Sequence, residues 1–153
     1  MNKIESFKID HDILDPGMYI SRIDGDITTY DMRFIKPNTP PFLPNPVMHT
    51  IEHLFATYSR NSEYADNVIY FGPMGCRTGF YFLVKDLEEE KALQLVKDTI
   101  LKCINHTGDI PGNTRQECGN YLEHDVFGAN KALKEYYSVL KDKNINNLQY
   151  NIG

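Results

Sequence analysis

A chain of 153 residues with 16 Lys and Arg against 21 Asp and Glu carries a formal net charge of −5, so no clustered cationic surface for nucleic acid is expected. A hydrophobic content of 41%, with ten Tyr and eight Phe, predicts one globular domain over residues 1–153 with an aromatic core. No apolar run approaches the roughly 18 residues of a membrane span, Met1 to Lys8 lack the apolar stretch of a secretion leader, and three cysteines without CxxC spacing argue for a reducing cytoplasm rather than a disulfide framework.

Residues 1–16 read as irregular and polar, ending at Asp15-Pro16-Gly17. Met18 to Ile23 predicts a strand, Gly25-Asp26 a turn, and Ile27 to Ile35 a second strand. In the second strand Thr28, Tyr30, Met32 and Phe34 share one face, and Thr29, Asp31 and Arg33 the other. Five prolines (Pro37, Pro40, Pro41, Pro44 and Pro46) impose an extended loop before a helix capped by Asn45 and running to about Arg60. Val68 to Phe71 and Gly79 to Val84 predict strands on either side of a loop that includes Gly72 to Cys76. Asp86 and Glu89 have the spacing of a capping box for a helix from Leu87 to about Ile104. Phe127 to Lys141 predicts a last amphipathic helix, and the Asn-rich tail from Asp142 to Gly153 a frayed end. Strands and helices in this order predict an α+β fold, an antiparallel sheet with helices packed on one face in a two-layer sandwich.

Chemistry concentrates on the first helix. His49-Thr50-Ile51-Glu52-His53 fits HxxEH, a pattern that five His and nine Glu would produce by chance only roughly 0.01 times in such a chain. At about 100° per residue, Val47, Met48, Ile51, Leu54, Phe55 and Tyr58 gather on one side, while His49, Glu52, His53, Ala56 and Arg60 gather on the other. The apolar side therefore supplies the packing without the histidines. The i,i+4 spacing stacks two imidazoles close enough to grip one divalent ion, with Glu52 beside them as a base. A catalytic site commonly adds a third protein ligand and leaves one position open. Cys103 lies on an apolar helix stripe and reads as a buried hydrophobe, whereas Cys76 and Cys118 sit in polar, glycine-bearing segments; spacing leaves both as candidates.

The wider set of motifs resembles the S-ribosylhomocysteine lyases, the autoinducer-2 synthases of bacteria. The matching segments are His49-Thr50-Ile51-Glu52-His53-Leu54-Phe55, Pro73-Met74-Gly75-Cys76-Arg77-Thr78-Gly79-Phe80, and Cys118-Gly119 with His124-Asp125. Ser6-Phe7-Lys8-Ile9-Asp10-His11 and Asp31-Met32-Arg33-Phe34 are also similar, so the likeness spans about residues 5 to 140. It implies His49, His53 and Cys118 as metal ligands, and Glu52 and Cys76 as catalytic acid/bases. It implies Ser6, His11, Arg33 and Arg60 as substrate contacts. The implied ion is Fe(II), replaceable by Zn(II) or Co(II), and the implied assembly is a homodimer with active sites at its interface. The implied reaction belongs to the methyl cycle and to signal synthesis for quorum sensing. The chain departs from the family pattern at Tyr70-Phe71-Gly72, where the family carries Asp-x-Ser. That departure falls near the amino-acid end of the substrate and leaves open a related lyase altered at that end. A metallopeptidase of the HxxEH kind is the remaining alternative. Without the resemblance, Ser6 and His11 read as surface polar residues, Arg33 as the partner of Asp31, and His124 as either a neighbour of the metal site or the start of the last helix.

Overall fold

The computed structural model describes residues 1–150. Four strands, β1 (Gly17–Asp24), β2 (Ile27–Arg33), β3 (Val68–Pro73) and β4 (Gly79–Lys85), form one antiparallel sheet in the order β1-β2-β4-β3. Three helices, α1 (Asn45–Ser59), α2 (Glu89–Ile104) and α3 (Val126–Leu140), complete the expected α+β architecture. Alternation places Tyr30, Met32, Phe80, Phe82 and Val84 on one face of the sheet. There they join Ile51, Phe55, Val96, Ile100 and Leu133 from the helices in one buried cluster. The register sets Tyr30 opposite Phe82 and Met32 opposite Phe80, so the aromatic layer is continuous across the two central strands.

The opposite face of β2 is also buried. Asp31 and Arg33 are 1% and 2% exposed and form an ion pair of 2.7 Å. A charged pair at the end of a strand is shielded in this way only when something covers it: Tyr150 of the C-terminal segment meets Asp31, and Thr78 meets Arg33. The predicted frayed tail is therefore corrected from Asp142 to Tyr150; residues 151–153 lie outside the described part. Asn144 caps a short 3-10 turn at Ile145–Asn147, the Leu148 carbonyl accepts the Ile20 N–H at 2.7 Å, and the Leu148 side chain is fully buried. Leu148→Ala should cost about 2–5 kcal/mol, read as a lowered midpoint in urea denaturation with an unchanged slope.

Helix ends also depart from expectation. Asn45 already lies within α1, and Pro44 occupies its N-cap with no side-chain hydrogen bond. Asp86 does not cap α2: it takes φ +52° in a turn, its N–H donates to the Asp26 carbonyl, and Glu88 holds the N-cap position. Asp86 is thus used to close the sheet's end, and the spacing that resembled a capping box is not one. Asp125 does cap α3, accepting the Gly128 N–H at 2.8 Å.

Candidate metal centre and active site

Helix α1 buries Val47, Met48, Ile51, Leu54 and Phe55 and leaves His49, Glu52 and His53 only partly covered, as the wheel requires. The two imidazoles meet nearly at right angles, with centroids 4.6 Å apart. Each ring is oriented from the loop between α2 and α3. His49 Nδ1 lies 2.8 Å from the Glu123 carbonyl, and His53 Nδ1 lies 2.8 Å from the Pro111 carbonyl. A carbonyl only accepts, so both Nδ1 atoms carry the proton and both Nε2 atoms keep a free lone pair. Gly112 lets the loop close on His53: its φ is +72°, and an added Cβ would sit 3.3 Å from His53 Nδ1.

The two Nε2 atoms face Cys118, whose Sγ is 3.4 Å from His49 Nε2 and 3.8 Å from His53 Nε2. A tetrahedral ion with bonds of about 2.3 Å to sulfur and about 2.05 Å to nitrogen sets such atoms about 3.6 Å apart. The three donors therefore fit one ion. His124 belongs to the same cluster, in which the donor atoms of all four residues lie within 4.8 Å of one another. Its ring, however, stacks on His49 at 4.1 Å and 19°. An imidazole lone pair lies in the ring plane, so two nearly parallel rings cannot both aim at one ion. His124 thus stacks as a wall of a cluster that is compatible with one metal ion.

Thr50 fixes that wall. Its hydroxyl donates to the Pro46 carbonyl at 3.0 Å and accepts the Asp125 N–H at 3.0 Å, leaving a lone pair for His124 Nδ1–H at 3.0 Å. His124 Nε2 is then a buried acceptor without a protein partner among the described residues. Burial first, then the proximity of His49 and His53, lowers the His124 pKa and favours the neutral ring. The sequence suggested His124 only as a possible neighbour of the site. The Glu123 and Pro111 carbonyls carried no sequence signal, because backbone groups have none.

Glu52 borders two cavities. One, of about 370 Å³, contains His53, Ala56, Arg60, Tyr70 and Gly112. The other, of about 310 Å³, contains His49, Met74, Gly75 and Arg77. Arg60 Nη2 donates to the Ile69 carbonyl at 2.7 Å, which holds the guanidinium at the edge of the first cavity. Tyr70 folds over Gly72 so closely that any Cβ at Gly72 would collide with the Tyr70 hydroxyl. Tyr70 and Gly72 are thus packed directly against each other.

Cys76 lies in a third cavity of about 420 Å³, with Ser6, His11, Arg33 and Tyr81. It is exposed, on a turn between β3 and β4 in which the Arg77 N–H donates to the Met74 carbonyl and Arg77 takes φ +60°. Its Sγ is 3.1 Å from Thr78 Oγ1 and 3.9 Å from Arg33 Nη1. Pro73, Met74 and Gly75 form a wall common to this cavity and to the one beside His49 and Glu52. Within a single chain the residues named from the sequence therefore fall into two groups: His49, Glu52, His53, Arg60 and Cys118 on one side, and Ser6, His11, Arg33 and Cys76 on the other. Cys103 is buried in the core, and burial pushes its thiol up to about 12, which removes it as a nucleophile.

Residues 4–147 match the family model described as S-Ribosylhomocysteinase (LuxS). Among similar proteins, the S-ribosylhomocysteine lyase of Finegoldia magna is 44% identical over 155 residues, covering 98% of this chain and 99% of that protein. Those of Borreliella afzelii and Clostridium beijerinckii are 42% and 43% identical, covering 98% and 95% of this chain. Among the described residues no helix is long and apolar enough to cross a membrane. A match along almost the whole chain, on a fold that gathers His49 and His53 of its HxxEH helix with Cys118 and His124, has one conclusion: the chain belongs to the S-ribosylhomocysteinase (LuxS) family.

Proposed function

We propose that this protein is a carbon–sulfur lyase that cleaves S-ribosylhomocysteine to homocysteine and 4,5-dihydroxy-2,3-pentanedione, the autoinducer-2 precursor. The observation that carries this reading is the convergence of two imidazoles and one thiol, with Glu52 alongside, in a chain whose relatives are S-ribosylhomocysteine lyases. A soft Cys118 donor also speaks against a peptidase of the HxxEH kind, which takes an acidic third ligand.

His49, His53 and Cys118 would hold the ion, which we take to be Fe(II), with Zn(II) or Co(II) as replacements. When bound, such an ion supplies Lewis acidity that makes C–H bonds next to a sugar carbonyl easier to break. The chain's own groups then move the protons. Glu52 and Cys76, on opposite sides of the opened sugar, would take a proton from one carbon and return it to the next, so that the carbonyl migrates from C1 to C2 and then to C3. With the carbonyl at C3, loss of the C4 proton drives β-elimination: the C5–S bond breaks, and homocysteine leaves with the electron pair on sulfur. Ser6, His11 and Arg33 would hold the substrate near Cys76, and Arg60 would meet the carboxylate of its homocysteine end. The Tyr70 ring over Gly72 supports a binding mode at that end that differs from the family's polar pair.

The separation of the Cys76 cavity from the Glu52 cavity within one chain supports a homodimer whose active sites are completed across the interface. Leu122, Val126 and Phe127, which are 80%, 53% and 85% exposed, provide an apolar surface suited to it. Phe127→Glu should shift the protein to monomer in sedimentation velocity and lower turnover by about tenfold or more. Unpaired Cys76, Cys103 and Cys118 support a reducing, cytoplasmic setting. The deciding assay supplies S-ribosylhomocysteine anaerobically to iron-loaded protein and follows thiol release with a chromogenic disulfide. Release at background level with the metal fully bound sinks the assignment.

A further inference from the structure

We infer that Tyr150, in the C-terminal segment, is a positioning residue for the Cys76 thiol, acting through Asp31 and Arg33. The inference rests on the reading of Cys76 as an acid/base. Its basis is a continuous chain of contacts from the chain's end to the thiol. The Tyr150 ring stacks on Tyr19 with centroids 5.0 Å apart, and its hydroxyl donates to Asp31 Oδ2 at 2.7 Å. Asp31 grips Arg33 with both oxygens: Arg33 Nη2 donates to Oδ2 at 2.7 Å and Nε donates to Oδ1 at 3.1 Å. The remaining guanidinium nitrogen, Nη1, donates to Thr78 Oγ1 at 2.8 Å and lies 3.9 Å from Cys76 Sγ. Thr78 Oγ1 is itself 3.1 Å from that sulfur.

Two features show that Tyr150 does more than fill space. First, its hydroxyl is aimed at the oxygen that also accepts Arg33 Nη2, so the two donors divide one carboxylate oxygen. Without the hydroxyl, Arg33 becomes the only donor to Oδ2 among the described residues, the Asp31–Arg33 pair tightens, and less of the guanidinium charge is directed to the thiol. Second, the segment is held independently of Tyr150. Leu148 is buried in the core, and Lys97 Nζ donates to the Lys143 carbonyl at 2.6 Å, so removing one hydroxyl does not release the strap. Asp31 and Arg33 are almost fully shielded, which makes the charge balance between them sensitive to a single added donor.

The test is the rate at which iodoacetamide alkylates Cys76 at one neutral pH, resolved by peptide mass spectrometry, in the full-length metal-loaded protein. Tyr150→Phe keeps the stack on Tyr19 and removes only the hydroxyl. It should slow alkylation of Cys76 roughly threefold to tenfold while metal content stays the same. Cys76 is already exposed, so loosening of the fold is read separately: the urea midpoint of Tyr150→Phe should stay at the parent value while alkylation slows. Tyr150→Ala, which also loses the stack, should be slowed as well. Alkylation of the Phe variant at the parent rate or faster overturns the proposal, even where its turnover is reduced. The underlying reading fails separately: if Cys76→Ala still turned over substrate, Cys76 would not be the acid/base, whatever Tyr150 does to its reactivity.

Discussion

Cys76→Ala and Glu52→Gln should each lower turnover of S-ribosylhomocysteine by roughly a hundredfold to ten-thousandfold while the protein still binds one equivalent of metal. Neither side chain is in the converging cluster of His49, His53, Cys118 and His124, and each lines a cavity large enough for part of a sugar chain. Glu52→Gln is nearly isosteric and sits on the polar side of α1, away from the apolar contacts of Ile51 and Phe55, so folding should be preserved. Cys76 is exposed on a turn, and truncating its side chain leaves no cavity in the core. Elemental analysis beside steady-state kinetics checks both variants. Turnover within tenfold of the parent for either one would remove that residue from the proton-transfer steps.

Cys118→Ala should have the opposite profile, losing the metal itself. Removing a hydrogen-bond partner behind a ligand typically weakens metal binding about 10–100-fold, so removing a ligand should weaken it by more than about 100-fold. Competition with a chelator, read by the metal retained after gel filtration, measures this directly. The contrast between the two cysteines matters more than either result alone. Cys118 Sγ lies 3.4 Å and 3.8 Å from the two Nε2 atoms, whereas the polar neighbours of Cys76 are Thr78 and Arg33. If Cys76→Ala released metal and Cys118→Ala retained it, the two roles would have to be exchanged. An intermediate case is also informative. Thr50→Val removes the hydroxyl that holds His124 and the Asp125 N–H, and this should weaken metal binding less than Cys118→Ala does.

Much of the metal helix was legible because its information is local. The i,i+4 spacing of His49 and His53, and the separation of Val47, Ile51, Leu54 and Phe55 onto another face, follow from helical periodicity alone. The strands were legible for the same reason: the alternation of Tyr30 and Met32 with Asp31 and Arg33 marks two faces whatever covers them. Errors arose where local chemistry had more than one use. Asp86 and Glu89 have capping-box spacing, yet Asp86 takes a left-handed conformation to close against Asp26. The polar, Asn-rich composition after Asp142 suggested fraying, yet one apolar residue, Leu148, finds a site in the core and anchors the segment.

By itself the sequence determined the α+β class, the metal-binding helix, the pairing of its histidines with an adjacent carboxylate and, through its motifs, the family. Those properties depend on spacings of a few residues or on order along the chain. Only the tertiary structure placed the Cys118 sulfur beside both imidazoles. It alone showed that the Glu123 and Pro111 carbonyls fix the imidazole protons, that His124 stacks on His49, and that Tyr150 reaches Asp31. Each of these joins residues from 58 to 119 positions apart. Their meeting is set by how the loop after α2 and the C-terminal segment pack on the sheet and helices, and no local pattern of residues encodes that packing.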